Sequence, residues 1–234
     1  MTDNRETEWI QPWSPLLMRS QLSDKAVTAL LSITDKLVGN SASESWGHNL
    51  AGQIKDELKI NHDLLENTMV DTDTSVFNCI MGYIQEYSNK ALHQYATDQR
   101  WDSFLTGEWK TVMNSCWVVS QQPGEYNPIH THTHCNISGV LYLKVPQFDE
   151  SIKTKTDDDG CIVFMGGASA GQDSTFVKNT YTWKPRVGDI FVFPSYLAHA
   201  VWPYECSSGD PERRSISFNA DLMTEQAYAD KFKK

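Results

Sequence analysis

The residues after position 108 constrain the fold most strongly, because they form short runs rich in Val, Ile, Phe, Tyr and Trp. Turn-forming residues separate these runs, for example Gln122-Pro123-Gly124 and Arg186-Val187-Gly188. Many short strands with regular punctuation are typical of a β-sandwich or barrel. The predicted strands cover residues 113–120, 137–145, 161–165, 176–183, 189–193, 200–204 and 215–221.

The first 108 residues have a different pattern. Residues 1–22 read as an irregular arm, and Ser23 as the N-cap of a helix that ends near Gly39. A second helix is predicted from about residue 74 to 96, capped by Asp73, and residues 41–61 are expected to form a loop with a short helix. We therefore predict an N-terminal arm and helical layer (1–108) packed on a β core (109–234) as one structural unit.

Charge and cysteine content exclude some functions. Thirty acidic residues against 20 basic ones give a net charge of −10, which makes sequence-independent nucleic-acid binding unlikely. The five cysteines form no CxxC motif, so we expect a reducing compartment. The N-terminus lacks the apolar run of a signal peptide, and no segment reaches the ~18 apolar residues of a membrane span. We expect a cytoplasmic location, in a bacterium or an infected host cell, without membrane association.

A run of alternating histidines, His130-Thr131-His132-Thr133-His134, is the first candidate for chemistry. Residues i and i+2 of a strand face the same side, so His130 and His132 would point together, and His134 would join them if the strand persisted. Two imidazoles on one face can hold a metal ion. His199 follows 67 residues after His132, and it can supply a third ligand if the chain folds back.

Arg213 is the second candidate. With a period of two, Arg213, Ser215, Ser217 and Asn219 share one face of the last predicted strand. An arginine aimed into an apolar barrel is costly unless it is paired, and a dicarboxylate held through two hydrogen bonds is a natural partner. A surface arginine that pairs with Glu212 or Asp210 is the alternative.

Together these motifs resemble the iron(II)- and 2-oxoglutarate-dependent oxygenases of marine bacteria and their phages. The resemblance covers about residues 113–222 and includes four segments: His130-Thr131-His132, Ser138-Gly139-Val140-Leu141-Tyr142, Gly188 to His199, and Arg213 to Asn219.

The resemblance implies a jelly-roll barrel of the double-stranded β-helix (cupin-like) type, mainly β with flanking helices. It implies Fe(II) bound by His130, His132 and His199, with 2-oxoglutarate and O2 as cosubstrates and Arg213 on the distal carboxylate. Hydroxyls of Tyr142 or Ser215 would assist Arg213. His132 stands where the wider superfamily has a carboxylate ligand. The pair His132 and His134 is therefore a rival ligand choice, and we expect metal binding to weaken below about the imidazole pKa of ~6.5.

These expectations describe a dioxygenase that hydroxylates a protein side chain, a peptide or a small metabolite. Two alternatives stay open: a cupin-like three-histidine metalloenzyme without 2-oxoglutarate, and a non-catalytic jelly-roll binding module. The position of Arg213 favours the dioxygenase over the cupin-like enzyme. The complete set of histidines argues against the non-catalytic binding module. The pattern does not identify the primary substrate, and it neither requires nor excludes a homodimer.

Overall fold

The computed structural model describes residues 7–10, 15–99, 107–149, 151, 158–166, 180–206 and 209–232. Its helices are α1 (Asp24–Val38), a 3-10 turn (Gly47–Asn49), α2 (His62–Glu66), α3 (Val76–Gln99) and α4 (Glu225–Phe232). Its strands are β1 (Glu8–Ile10), β2 (Leu17–Gln21), β3 (Asp56–Lys59), β4 (Trp109–Gln121), β5 (Asn127–His130), β6 (Ile137–Lys144), β7 (Ile162–Met165), β8 (Thr180–Trp183), β9 (Asp189–Pro194), β10 (Ala198–Val201) and β11 (Arg213–Thr224).

The strands form two antiparallel sheets. The large sheet has the order β1-β2-β9-β6-β11-β4-β3, and the small sheet has the order β5-β10-β7-β8. Apolar residues from both sheets pack together in one core, among them Tyr142 and Phe191 of the large sheet and Phe164 of the small one. The predicted mainly β, double-stranded β-helix fold is confirmed.

A second core lies between the outer face of the large sheet and the helices. Ile216 and Phe218 of β11 pack there with residues of α1 and α3 such as Leu30, Ile80 and Tyr83. Each fully buried side chain of this kind contributes about 1.5–3 kcal/mol from the removal of apolar surface from water. Period-two alternation along β11 therefore sends one set of residues toward the helices and the other set between the sheets.

The helical layer agrees with the sequence, with one correction at a cap. The side chain of Ser23 accepts a hydrogen bond from the backbone N–H of Ala26, and Gly39 ends α1, as predicted. α3 begins at Val76 rather than near residue 74, and Ser75, not Asp73, accepts the capping hydrogen bond from Asn78 N. Among the described residues, no helix is long and apolar enough to cross a membrane.

Three strands lie where the sequence predicted irregular structure. β1 and β2 fall in the predicted arm, where they pair with each other and β2 pairs with β9, while β3 falls in the predicted loop and pairs with β4. All three are short, and the pairing partners supply their order. The division of the chain at residue 108 stays a prediction. Residues 176–179 of one predicted strand lie outside the described residues, and β10 begins two residues earlier than predicted, at Ala198.

Candidate metal centre and cavity

Three histidines converge between the two sheets. The ring centroids of His130 and His199 are 4.3 Å apart, those of His132 and His199 are 5.1 Å apart, and those of His130 and His132 are 5.2 Å apart. One ring nitrogen from each lies within 4.8 Å of the corresponding atoms of the other two. The arrangement offers three imidazole nitrogens to one point in space.

Different local structures position these histidines. His130 and His199 are directly opposite each other in the β5–β10 pair, so they share a face of the small sheet. β5 ends at His130, so the strand alternation that predicted the position of His132 is not what places it. The loop after β5 brings His132 to the site, where its backbone N–H donates to Ser195 O at 2.9 Å.

His134 does not share this arrangement. Its φ angle is +59°, in the left-handed region, and its side chain is exposed. Among the described residues, the group of potential metal ligands consists of His130, His132 and His199, without His134.

Hydrogen bonds fix the orientation of each imidazole. The Nδ1 atoms of His130, His132 and His199 lie 2.7 Å from Pro128 O, 2.6 Å from Asn219 Oδ1 and 2.9 Å from Leu197 O, respectively. Because each of these oxygens accepts, each Nδ1 must carry the proton, which leaves the Nε2 lone pair available to a metal. Asn219 also accepts a hydrogen bond from Ser138 Oγ at 2.9 Å. The sequence pattern placed Asn219 on the correct face of the strand but predicted no role for it in orienting a ligand.

Burial keeps the three imidazoles neutral. Removal from water lowers the pKa of His130, lowers that of His132 to about 4, and lowers that of His199 well below its usual value. The proximity of the rings adds to the effect at His132 and His199, since two cationic imidazoles would repel each other. We therefore expect metal binding to weaken at a pH below the ~6.5 predicted from the sequence, because the ligands stay unprotonated to a lower pH.

A cavity of about 210 Å³ opens beside the histidines. It is lined by Arg213, Ser215, Ser217 and Asn219, so the predicted shared face of β11 points into it. The described residues that line the cavity further include Trp117, Val119 and Gln121 of β4, together with Glu57, Asn127 and Ile162.

Arg213 is buried in the wall of this cavity. Arg213 is only 2% exposed, and its Nη1 donates a hydrogen bond to Gly160 O at 2.7 Å. Its Nε has no hydrogen-bond partner among the described residues. The guanidinium carbon lies 5.1 Å from the centroid of the Tyr142 ring. Arg213 is therefore not the surface residue of the alternative reading, and a buried donor points to an absent acceptor.

Tyr142 and Ser215 are neighbours in the β6–β11 pair. Tyr142 is fully buried, its hydroxyl has no partner among the described residues, and burial raises its pKa to about 12. Ser215 lines the cavity directly. Together with the Nε of Arg213, the Tyr142 hydroxyl gives this end of the site two buried donors that a carboxylate would satisfy.

The donor sets fit an iron ion and a dicarboxylate. Three neutral imidazoles on one side of a metal are ligands that suit iron(II) and leave coordination positions for other molecules. The partly unpaired guanidinium and the unpaired phenol suit an anionic group. The residues are those that a bound metal and a keto acid would require.

Residues 115–219 match the family model described as "Putative 2OG-Fe(II) oxygenase". This segment contains all three histidines and Arg213. No curated protein sequence matches the chain.

Several solved structures are similar to the protein. A 2OG-Fe(II) oxygenase family oxidoreductase from Burkholderia pseudomallei aligns at 16% identity and a TM-score of 0.35, over 48% of this chain and 44% of its own. A prolyl-4-hydroxylase from Pseudomonas putida aligns at 18% identity and a TM-score of 0.49, over 87% and 91%. A viral collagen prolyl hydroxylase from Paramecium bursaria Chlorella virus-1 aligns at 14% identity and a TM-score of 0.48, over 87% and 94%.

The family match supports the resemblance that the sequence motifs suggested, while the marine bacterial and phage origin stays a prediction. The match supports an oxidoreductase enzyme, and the matched family implies Fe(II), 2-oxoglutarate and O2 as cofactor and cosubstrates, which the three-histidine group fits.

Proposed function

We propose that this protein is an iron(II)- and 2-oxoglutarate-dependent dioxygenase that hydroxylates a protein side chain, a peptide or a small metabolite. In the coupled reaction, 2-oxoglutarate would be decarboxylated to succinate. The single observation that carries the proposal is the meeting of three imidazoles and one buried, incompletely bonded arginine in the same cavity. A cupin-like enzyme without 2-oxoglutarate would need another anionic ligand for Arg213.

Each residue has a role in this proposal. His130, His132 and His199 would hold the iron through Nε2, while Pro128 O, Asn219 and Leu197 O keep each ring in the required tautomer. Bound iron and keto acid would supply the activation of dioxygen, which protein side chains cannot achieve.

Arg213 would bind the distal carboxylate of 2-oxoglutarate with its free Nε, while its Nη1 remains bonded to Gly160 O. The Tyr142 hydroxyl would donate to the same carboxylate, and Ser215 would contribute from the neighbouring strand position. Apolar residues, among them Ile162, also line the cavity. A low local dielectric strengthens the hydrogen bonds and keeps the cosubstrate in one orientation.

Turnover of 2-oxoglutarate without a primary substrate tests the proposal. We expect slow, Fe(II)- and O2-dependent formation of succinate, measured by NMR, that His199→Ala abolishes. His134→Asn is the matched control, because it removes an exposed histidine of the same run while asparagine tolerates the left-handed backbone of that position. Loss of succinate in the His134 variant but not in the His199 variant would show that the ligand set is wrong. Iron binding without any consumption of 2-oxoglutarate would favour the cupin-like alternative.

A further inference from the structure

A buried carboxyl group lies in the cavity wall, and the proposed chemistry does not use it. Glu57 of β3 is only 2% exposed, and its Oε2 has no hydrogen-bond partner among the described residues. Glu57 also forms no salt bridge within the described part of the chain, and it is the one acidic residue among the described residues that line the cavity. Leaving a buried carboxylate unpaired costs several kcal/mol, so its isolation calls for an explanation.

The sheet register places Glu57 on the cavity side. Glu57 lies opposite Val119 of β4, and Val119 lies opposite Ser215 of β11, which lies opposite Tyr142 of β6. These residues form one row across the large sheet, and Val119 and Ser215 also line the cavity. With strands about 4.8 Å apart, Glu57 and Ser215 are separated by roughly 10 Å. The carboxyl group is thus set apart from the proposed cosubstrate end.

The lack of a side chain at Gly52 leaves room for the Glu57 carboxyl group. A Cβ at Gly52 would lie 2.6 Å from Glu57 Oε1 and 2.5 Å from Asn127 Oδ1, so any other residue would force both side chains to move. Two oxygen acceptors, one from a carboxyl and one from an amide, therefore lie close together at the cavity wall. Acceptors from two separate segments suit a ligand group with several N–H donors.

The surroundings of Glu57 disfavour its ionised form, which a bound cation would restore. Burial, with repulsion from Glu125, raises the pKa of Glu57 to about 7. Glu125 itself is bonded to the backbone amides of Lys55 and Gln122, so its charge is held in place nearby. A dicarboxylate such as 2-oxoglutarate would be repelled here, which leaves the primary substrate as the partner.

We propose that Glu57 is the recognition carboxylate for the primary substrate, and that this substrate presents a cationic nitrogen, an amine or a guanidinium, to it. The proposal rests on the proposed function, because it takes the Arg213 side of the cavity, two strands away from Glu57, as the cosubstrate site. Arg213 selects an anion and Glu57 selects a cation, so the two ligands cannot exchange places. Asn127 accepts a second hydrogen bond from the same cationic group.

Binding of matched probes tests this assignment. The cationic probes are Nα-acetyl-arginine methylamide and Nα-acetyl-lysine methylamide, and their uncharged counterparts are the citrulline and Nε-acetyl-lysine derivatives. Calorimetry with the iron- and 2-oxoglutarate-loaded protein under anaerobic conditions should show at least one cationic probe binding about tenfold or more tightly than its uncharged counterpart. Glu57→Gln should remove this preference while the neutral probe binds as before.

Asp56→Asn is the matched control, since it removes the same charge from the neighbouring position of β3, whose side chain does not line the cavity. It should leave the preference for a cation intact. Equal affinity for charged and uncharged probes, an unchanged preference in Glu57→Gln, or no binding of either cationic probe up to about 10 mM would overturn the assignment.

Failure of the proposed function would give a different result. The loaded protein would then show no spectroscopic sign of 2-oxoglutarate on iron, whatever the probes do. A Glu57-dependent preference for cations in that protein, or in the metal-free protein, would support the cation site alone.

Discussion

Arg213 and Arg214 are adjacent in the sequence and equally buried, yet they serve the two faces of β11 in different ways. Arg214 faces the helical layer, where it bonds both carboxylate oxygens of Glu212 at 2.6 and 2.7 Å and contacts Asp35 and Thr34. Arg213 faces the cavity with one bond from its side chain to Gly160 O, and its Nε has no partner within the described residues. Both arginines are nearly inaccessible, at 2% and 3% exposure, so burial alone does not separate them.

The difference shows how a structural charge can be told from a functional one. A buried ion pair is tolerated when hydrogen bonds satisfy both partners, as they do at Arg214, where Lys144 and Ser120 also bond Glu212. A buried cation left incomplete by its own protein needs a ligand. Glu57 and the Tyr142 hydroxyl are incomplete in the same sense, and both lie on the cavity side of the large sheet.

The largest effect on stability is expected when the ion pair between Arg214 and Glu212 is broken. Arg214→Met should lower the free energy of unfolding by about 3 kcal/mol, because the buried Glu212 carboxylate loses its two-pronged partner and keeps only Lys144 and Ser120. Chemical denaturation measures this loss, and Arg213→Met should cost no more than about 1 kcal/mol by comparison. Similar losses for both variants would remove the distinction between the two faces of the strand.

The second effect is on the cosubstrate. Arg213→Ala should weaken 2-oxoglutarate binding about 100-fold, since truncation of a buried charged partner costs 2–5 kcal/mol. Arg213→Lys should retain part of the affinity, because the charge stays while the planar, two-pronged geometry is lost. Calorimetric titration of the iron-loaded variants gives both values. An unchanged affinity in the alanine variant would place the cosubstrate elsewhere.

The third effect is expected on metal affinity, through Asn219 on the same face of β11 as Arg213. Asn219→Ala should reduce the affinity for Fe(II), or for Co(II) as a spectroscopic probe, by about 10–100-fold, because His132 loses the acceptor that fixes its ring. Ser217→Ala, two residues earlier on the same face, should have little effect. Equal losses in both variants would mean that the pocket as a whole, rather than the His132 contact, governs the affinity.

Acid should affect the cavity face at milder pH than the helix face. The folded pKa of His132 is about 4 and its unfolded value is about 6.5, so the unfolded chain gains a proton first as the pH falls. Above pH 6.5 the metal-free protein keeps the stability that the neutral His132 contributes, and between pH 6.5 and about 4 it should lose about 3 kcal/mol of that contribution.

The lowered pKa of Glu212 acts in the same direction but only below its ordinary value of 4.5. Denaturant midpoints of the metal-free Glu57→Gln protein, which lacks the opposite contribution of the raised Glu57 pKa, test the order across this pH range. A flat profile between pH 6.5 and 4.5 would contradict the neutral, buried histidines. His132→Gln should flatten the profile if the histidine is its source.

The residues that line the cavity could be predicted from the sequence where the strand period and the family motif agree. The shared face of Arg213, Ser215, Ser217 and Asn219 follows from period two alone, and His199 follows from its place in a recognisable motif. His132 lies beside His130 and His199 as expected, but not through strand alternation, because β5 ends at His130 and a loop brings His132 to the other two.

Glu57 could not be predicted in the same way. It lies on a four-residue edge strand with the sequence Asp-Glu-Leu-Lys, which reads as exposed and polar. Only its pairing with β4 turns the carboxyl toward the cavity. The tight approach that Gly52 permits likewise depends on segments far apart in the sequence, and no local pattern encodes it. Tertiary pairing, rather than local propensity, decides these positions.

The most direct test of the account is an anaerobic titration of 2-oxoglutarate into the iron(II)-loaded protein, followed by visible absorption. Chelation by the keto acid should produce a saturable charge-transfer band, which Arg213→Ala weakens and which His134→Asn leaves intact. Iron binding without a band at any 2-oxoglutarate concentration would contradict the account. The same band in Arg213→Ala with an unchanged midpoint would show that the incomplete arginine is not the cosubstrate's anchor.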